Sequence, residues 1–225
     1  MKRDAGTLVR LLQLASPALP VGAYSYSQGL EAAVEAGIVR DAASAQSWIG
    51  DVMALSVATM EGPLLVRLMA AASSGDLQGM GRWNEEMLAS RESAELRAET
   101  AQMGYSLRRL LVEIDVPGAR SLAVFDEISF PATFAFAASA WKVDAEDALA
   151  AYLWSWLENQ VMAALKSVPL GQTDGQRTLM ALGARIPELA HNALHMSDDD
   201  LVNFAPGLAI LCARHETQYT RIFRS

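Results

Sequence analysis

Residues 145–167, AEDALAAYLWSWLENQVMAALKS, are the stretch that decides the fold. Apolar side chains lie on nearly every side of this segment, and a helix of that kind is buried inside a protein. Proline at position 169 cannot continue a helix and marks its end. Alanine and leucine dominate the whole chain, and no segment alternates apolar and polar residues as a strand does. We therefore predict an all-α fold, a single-domain helical bundle over residues 1–225, in which this helix is buried.

Composition narrows the class of protein: of the 225 residues, 52% are hydrophobic and 20% are charged, which is typical of a globular domain. The formal net charge of -8 argues against general nucleic-acid binding, which needs clustered Lys and Arg to neutralise phosphates. A single cysteine, Cys212, allows no intrachain disulfide and fits a reducing compartment. The longest apolar stretch, FPATFAFAASAW at residues 130–141, is too short to cross a membrane. We expect a cytoplasmic protein that binds neither nucleic acid nor membrane.

Two sequences match the capping box that begins many helices, SYSQ at Ser25–Gln28 and TDGQ at Thr173–Gln176. Another helix is predicted after Ser90, where apolar residues recur near a 3.6-residue period. The charged residues at its beginning are Arg91, Glu92, Glu95, Arg97 and Glu99. Arg91 and Glu95 are spaced to pair on one helix face. We interpret these charges as a solvated face, and a patch that faces a partner is the alternative.

No complete catalytic or metal-binding motif can be recognised. The sequence contains neither the P-loop G-x-x-x-x-G-K-[ST] nor the nucleophile motif G-x-S-x-G. His191 and His195 are spaced to share a helix face, and Cys212 with His215 forms half of a metal motif, so these four are only weak metal candidates. His215 and Glu216 point about 100° apart on a helix and do not form a catalytic pair. We predict no enzyme activity, no stably bound cofactor and no resident metal.

Lys166 lies at the end of the buried helix, where two roles are open. The helix dipole favours a lysine at this end, with its ammonium group in water. Alternatively, the VPLGQ turn at residues 168–172 meets a cavity, and Lys166 stands at the mouth of that cavity, where its charge matters.

The C-terminal residues ARHETQYTRIFRS, 213–225, are unusual for a free tail. Such tails are usually poor in aromatic residues, yet this one holds Tyr219 and Phe223 together with three arginines. A helical tail would present Tyr219 and Phe223 on one face. Aromatics and arginines dominate interface energetics, so we predict a partner-binding tail at about 215–225 that is mobile or loosely docked in the free protein. The alternative is that Phe223 packs into its own core.

Four stretches together resemble the urease accessory protein UreF family: SPALPVGAYSYSQGLE (16–31), RESAELRAE (91–99), VMAALKSVPLGQ (161–172) and ARHETQYTRIFRS (213–225). The resemblance implies an all-helical, homodimeric, non-enzymatic protein that binds UreD, called UreH in some organisms. The resemblance implies that it recruits the GTPase UreG together with UreD. The resemblance further implies that this assembly docks on apo-urease and supports nickel insertion, so that nickel is handled by the complex.

The resemblance also implies where the partners bind. We expect Tyr24 and Glu31 on the surface that recruits UreG, and the tail on UreD. The expected partner-binding residues are Tyr24, Glu31, Lys166, Gln172, His215, Glu216, Tyr219, Arg221, Phe223 and Arg224. The main alternative is a regulator of the UreG GTPase, an activator or a fidelity gate, with Arg221 or Arg224 as an arginine finger. Two further hypotheses are a hydrolase that uses His215 and a generic helical dimer.

Overall fold

Helices make up most of the computed structural model, which describes residues 4–225 and contains no strand within that range. The helices are α1 (Ala5–Ala15), α2 (Leu30–Glu35), α3 (Ala42–Val52), α4 (Gly62–Ser74), α5 (Leu77–Ala89), α6 (Ala94–Glu113), α7 (Phe130–Ala140), α8 (Ala145–Ser167), α9 (Gln172–Gly183), α10 (Ile186–His195) and α11 (Pro206–His215). The predicted all-α fold is confirmed. Residues 1–3, which the predicted domain includes, lie outside the described range.

Helix α8 is central, and its bounds are those of the stretch quoted first. It contacts α1, α2, α4, α9 and α10, so it is surrounded on most sides. Leu149, Leu153 and Leu157 have no exposed surface, which is what an apolar helix requires. The helix ends at Ser167, before the proline, and Lys166 lies in its last turn.

The longest continuous helical run is residues 42–74, where α3 and α4 are joined by the π-helical segment Met53–Glu61. This run is long and apolar enough to cross a membrane, with a mean hydropathy of 1.4 in its most apolar window. The longest apolar stretch recognised in the sequence, residues 130–141, lies almost wholly in α7, and the run 42–74 is longer. However, 72% of that window is buried inside the fold, as in the core helix of a globular domain.

The helix starts differ from the two predicted capping boxes. Gln28 and Gly29 have left-handed backbones, with φ of 51° and 78°, so α2 begins only at Leu30. Helix α9 already begins at Gln172, before the predicted box. Short polar side chains elsewhere provide the caps. For α6, the Ser93 Oγ accepts from the Leu96 N–H at 3.1 Å.

Candidate partner-docking site

The C-terminal segment, defined as Glu216–Ser225, is fastened to the start of α2. The Glu31 carboxylate accepts the backbone N–H groups of Ile222 at 2.7 Å and Phe223 at 2.9 Å. At the end of the segment, the main-chain oxygen of Ser225 accepts the Ser27 N–H at 2.7 Å and the Ser27 hydroxyl at 2.6 Å. Each carboxylate oxygen of Glu31 therefore accepts one backbone N–H of the segment, and the last residue is bound separately by Ser27.

This geometry corrects three predictions about the tail. The segment contains no helix, so Tyr219 and Phe223 do not share a helix face. Phe223 is only 5% exposed and packs into its own core, whereas Tyr219 is fully exposed. The expectation of a mobile or loosely docked tail is wrong for its last four residues, because Glu31 and Ser27 hold their backbone. Glu31 is itself 7% exposed, so its predicted place on an open surface is wrong too.

His215 links the segment to α6. It has no exposed surface, and its two ring nitrogens face two carboxylates: Nδ1 lies 2.6 Å from Glu95 and Nε2 lies 3.2 Å from Glu31. The other oxygen of Glu95 pairs with Arg221 at 2.6 Å. Glu216 accepts the backbone N–H of Ala94 at 2.8 Å and so caps α6. His215 and Glu216 therefore serve the anchoring of the segment.

A cavity of about 170 Å³ lies beside the place where the C-terminal segment contacts α2 and α6. Its walls are largely apolar, from the end of α1, the following loop, α6 and α8, and include Leu14, Val21 and Met103. Five polar side chains form what we call the floor cluster: Gln28, Glu61, Arg91, Glu99 and Tyr152. Glu99 and Tyr152 are each 4% exposed, so the floor cluster is screened little by solvent.

The floor cluster holds two carboxylates and one guanidinium group. Arg91 pairs with Glu61 at 2.9 Å, and the Tyr152 hydroxyl donates to the same glutamate. Glu99 instead accepts from the Gln28 amide at 2.6 Å and from the Ser225 hydroxyl at 2.7 Å. Glu99 therefore connects the floor of the cavity directly to the C-terminal segment.

Burial shifts the protonation of this cluster. It raises the pKa of the Glu99 carboxyl to about 7, although hydrogen bonds from Ser225 and Gln28 oppose the change. Burial also raises the pKa of the Tyr152 hydroxyl well above its usual range, and the Glu61 carboxylate adds to that effect. Burial acts to lower the pKa of Arg91, but the Glu61 carboxylate outweighs it and the pKa is raised. Arg91 is therefore the fixed charge here, and Glu99 is the group that titrates near neutrality.

The predicted solvated charged face is wrong for Arg91 and Glu99, which lie inside the protein. The predicted pair of Arg91 with Glu95 is also wrong. Arg91 precedes α6, so the i,i+4 spacing of a helix does not apply to it, and it reaches Glu61 instead.

Tyr24 and Lys166 lie side by side at the cavity wall. Tyr24 is 68% exposed. The Lys166 ammonium group lies 3.4 Å from the Tyr24 carbonyl oxygen, 5.9 Å from the centre of the Tyr24 ring and 5.5 Å from that of Phe223. Lys166 is thus exposed and lines the cavity, with the C-terminal segment as its neighbour, while its role stays a prediction.

Comparison with known proteins places the chain in a family. The family model named UreF matches residues 39–183. A urease accessory protein UreF from Azoarcus sp. (strain BH72) is 58% identical over 223 residues, covering 97% of this chain and 95% of that protein. The chain belongs to the UreF family of urease accessory proteins. Further relatives of that name come from Dechloromonas aromatica (strain RCB), 56% identical over 97% of both chains, and Janthinobacterium sp. (strain Marseille), 48% identical over 99% of this chain and all of that protein.

The weak metal candidates of this UreF-family chain lie in two unlike places. Cys212 is buried, and burial raises the pKa of its thiol to about 12, so it is not a ready thiolate ligand. His215 is enclosed by Glu31 and Glu95. His191 and His195 are exposed on α10. Within residues 4–225, no group of three or more His, Cys, Asp or Glu residues is placed to hold a metal ion.

Gln172, a further predicted partner-binding residue, is exposed at the first position of α9. Its role in this UreF-family chain stays a prediction. Glu61, Gln28 and Tyr152 were not predicted from the sequence as members of a site. A sign was available: Glu61 is the one charged residue within the apolar run VMALSVATMEGPLLV, residues 52–66.

Proposed function

We propose that this protein is a non-enzymatic scaffold for urease maturation. It acts in the cytoplasm as a homodimer, binds UreD, recruits UreG with it and supports the insertion of nickel into apo-urease. The observation that supports the proposal is the sequence identity of 48–58% between this chain and proteins named urease accessory protein UreF, over nearly the whole chain. Nickel is the cargo of the assembly and not a cofactor of this chain.

The surface proposed for UreD is the outer side of the C-terminal segment. Tyr219 is fully exposed and Ile222 is 65% exposed, and Glu31 holds the backbone of Ile222 and Phe223 a few residues after Tyr219. Arg221 is kept in place by its pair with Glu95. A large aromatic side chain next to a held stretch of backbone loses less conformational entropy on binding than one on a free tail, which favours it as an interface anchor. Tyr24 continues this surface beside Lys166, and we propose that part for UreG.

Co-purification of the full chain with UreD and UreG tests the proposal directly. A complex whose mass requires two copies of this chain supports both the scaffold and the dimer. Absence of any complex with UreD would overturn the scaffold proposal. A complex built on a single 24.2 kDa copy would overturn the dimer alone.

Tyr219→Ala is expected to weaken UreD binding by about 2 kcal/mol, roughly thirtyfold, because it removes an exposed aromatic anchor. The free energy of unfolding should change by less than about 0.5 kcal/mol, since the side chain contacts no core. Titration calorimetry and urea denaturation measure the two effects. Val124→Ala is the matched control, because it truncates another exposed apolar side chain. Val124 lies in a 3₁₀ turn that contacts Arg108, far along α6 from the end that meets the C-terminal segment. Equal UreD affinity for the wild type and Tyr219→Ala would remove Tyr219 from the interface.

Lys166→Ala is expected to lower the extent of urease activation while the fold stays intact. The loss of one charge contact in water, about 1 kcal/mol, corresponds to roughly fivefold weaker engagement of the partner or the ion that the charge meets. The measurement is urease activity after maturation with nickel and with a competing divalent ion. Lys142→Asn is the control, because it removes a lysine at a left-handed position, φ 56°, that asparagine tolerates. Unchanged activation and unchanged selectivity would return Lys166 to the role of a helix-end charge.

The alternative of a UreG regulator is separated by a GTP hydrolysis assay on UreG with and without this protein. An arginine finger must reach out from its own protein, yet Arg221 is tied to Glu95. If Arg221→Ala leaves UreG assembly unchanged but alters its GTP hydrolysis, the regulatory alternative is favoured.

A further inference from the structure

Two exposed histidines lie one turn apart near the end of α10. The ring centres of His191 and His195 are 4.4 Å apart, with an angle of 41° between the ring planes. The opposite side of the same helix is fixed in the core through Ile186, Ala190 and Ala193. The backbone that carries the two imidazoles is therefore rigid, although their rings face solvent.

A hydrogen bond orients the second ring. His195 Nδ1 lies 2.8 Å from the backbone oxygen of His191. A carbonyl oxygen only accepts, so Nδ1 must be the nitrogen that carries the hydrogen. In a neutral ring, the lone pair is then on Nε2, directed away from the helix. Metal-bound histidines in proteins are usually held by this kind of contact, which fixes the tautomer and the ring direction.

The simpler explanation is that His195 only adds a side-chain hydrogen bond to a backbone carbonyl one turn earlier, as histidines near the end of a helix can do. That explanation accounts for the Nδ1 contact. It does not require His191 to be at the preceding turn with its ring against that of His195. The two side chains together place two imidazole donors on one stripe of an immobile helix.

We propose that His191 and His195 form an open two-histidine site for a borderline divalent ion, of the class of Ni²⁺, Cu²⁺ and Zn²⁺. Imidazole is a ligand that suits these ions, whereas Mg²⁺ and Ca²⁺ take oxygen ligands. No further His, Cys, Asp or Glu within residues 4–225 completes the set, so water or a donor from another molecule fills the remaining positions. A site of this kind holds an ion weakly and exchanges it readily. It is independent of the partners proposed above.

Titration calorimetry of the full chain with each metal ion tests the site. We expect one ion per chain, with Cu²⁺ bound more tightly than Ni²⁺ or Zn²⁺ and with no heat from Mg²⁺. His191→Gln and His195→Gln should each weaken Ni²⁺ binding by at least about tenfold, as the loss of one of two ligands requires. Without metal, all three proteins should unfold at the same temperature, and Ni²⁺ should raise that temperature for the wild type only.

A matched control keeps the number of histidines but separates them. Glu188 is exposed on the same stripe of α10, so His191→Gln combined with Glu188→His places the two imidazoles two turns apart, about 10 Å, too far to share an ion. This protein should bind Ni²⁺ as weakly as the single variants. Wild-type affinity in the separated control, or an affinity in the wild type no higher than in His191→Gln/His195→Gln, would overturn the proposal. Neither result would bear on UreD or UreG binding.

Discussion

Glu31→Ala is expected to destabilise the protein by about 3–5 kcal/mol and to release its C-terminal segment. The side chain is buried and holds the backbone N–H groups of Ile222 and Phe223 as well as facing His215. Removing one partner of a buried, hydrogen-bonded set leaves the others without acceptors, and this loss is among the largest that single changes produce. Phe223 should then lose its place in the core. Urea denaturation measures the stability, and amide hydrogen exchange of residues 221–225 measures the release.

A double-mutant cycle shows whether Glu31 acts through the segment. If it does, Glu31→Ala should have a much smaller effect in a chain that ends at Thr220, and the coupling should be at least about 2 kcal/mol. Glu35→Ala is the control, because Glu35 is an exposed glutamate of the same helix. Additive effects of the substitution and the truncation would show that Glu31 stabilises the fold by other contacts.

Glu99→Gln is expected to make the protein less sensitive to pH. Burial raises the pKa of Glu99 from its usual 4.5 to about 7 in the folded state. Between these values the folded protein binds more protons than the unfolded chain, so the free energy of unfolding falls as pH rises. The stabilising contribution of the protonated Glu99 is lost once the pH has risen above about 7. A shift of this size corresponds to on the order of 2–3 kcal/mol between about pH 5 and pH 8.

The measurement is urea denaturation of both proteins at about pH 5 and pH 8, on either side of the raised pKa. Glu99→Gln should be more stable than the wild type at the higher pH and show a shallower dependence on pH, since glutamine keeps hydrogen-bonding atoms and carries no charge beside Glu61. Burial also raises the pKa of Glu92 and Glu158, so the dependence should shrink and not vanish. Glu113→Gln, an exposed glutamate at the other end of α6, is the control. Equal pH dependence in wild type and Glu99→Gln would mean that the carboxylate is solvated.

Local patterns in the sequence predicted those parts of the fold that depend on near neighbours. Helix α8 was predicted to the residue, because burial all round and a following proline are both visible within one short stretch. The start of α2 was predicted wrongly, because the left-handed turn at Gln28 and Gly29 that precedes it is hydrogen-bonded to Ser225. A capping-box pattern at Ser25 cannot reveal a partner at the other end of the chain.

The candidate site was predicted in part for the same reason. The sequence singled out Tyr24, Lys166 and the tail, which the structure brings together. It misjudged Glu31, because a glutamate at a helix start usually faces water, and only the folded chain provides two backbone donors and a histidine to bury it. The floor cluster was not predicted as a site, although Arg91 and Glu99 were noted as charges at the beginning of a helix, since Glu61, Arg91 and Tyr152 come from three separate parts of the chain.

The bond between Ser27 and Ser225 spans 198 residues of sequence, and this separation has a kinetic consequence. Closing so long a loop is entropically unfavourable until the helices between its ends have already packed. We therefore expect the contacts between Ser27 and Ser225 to form after the transition state for folding, so that substitutions there change mainly the rate of unfolding. By the same reasoning, we expect these contacts to open first. When they open, water reaches Glu99 and the floor of the cavity while the bundle around α8 is still folded. On this expectation, the C-terminal segment governs both how long the native state survives and how often its interior is exposed.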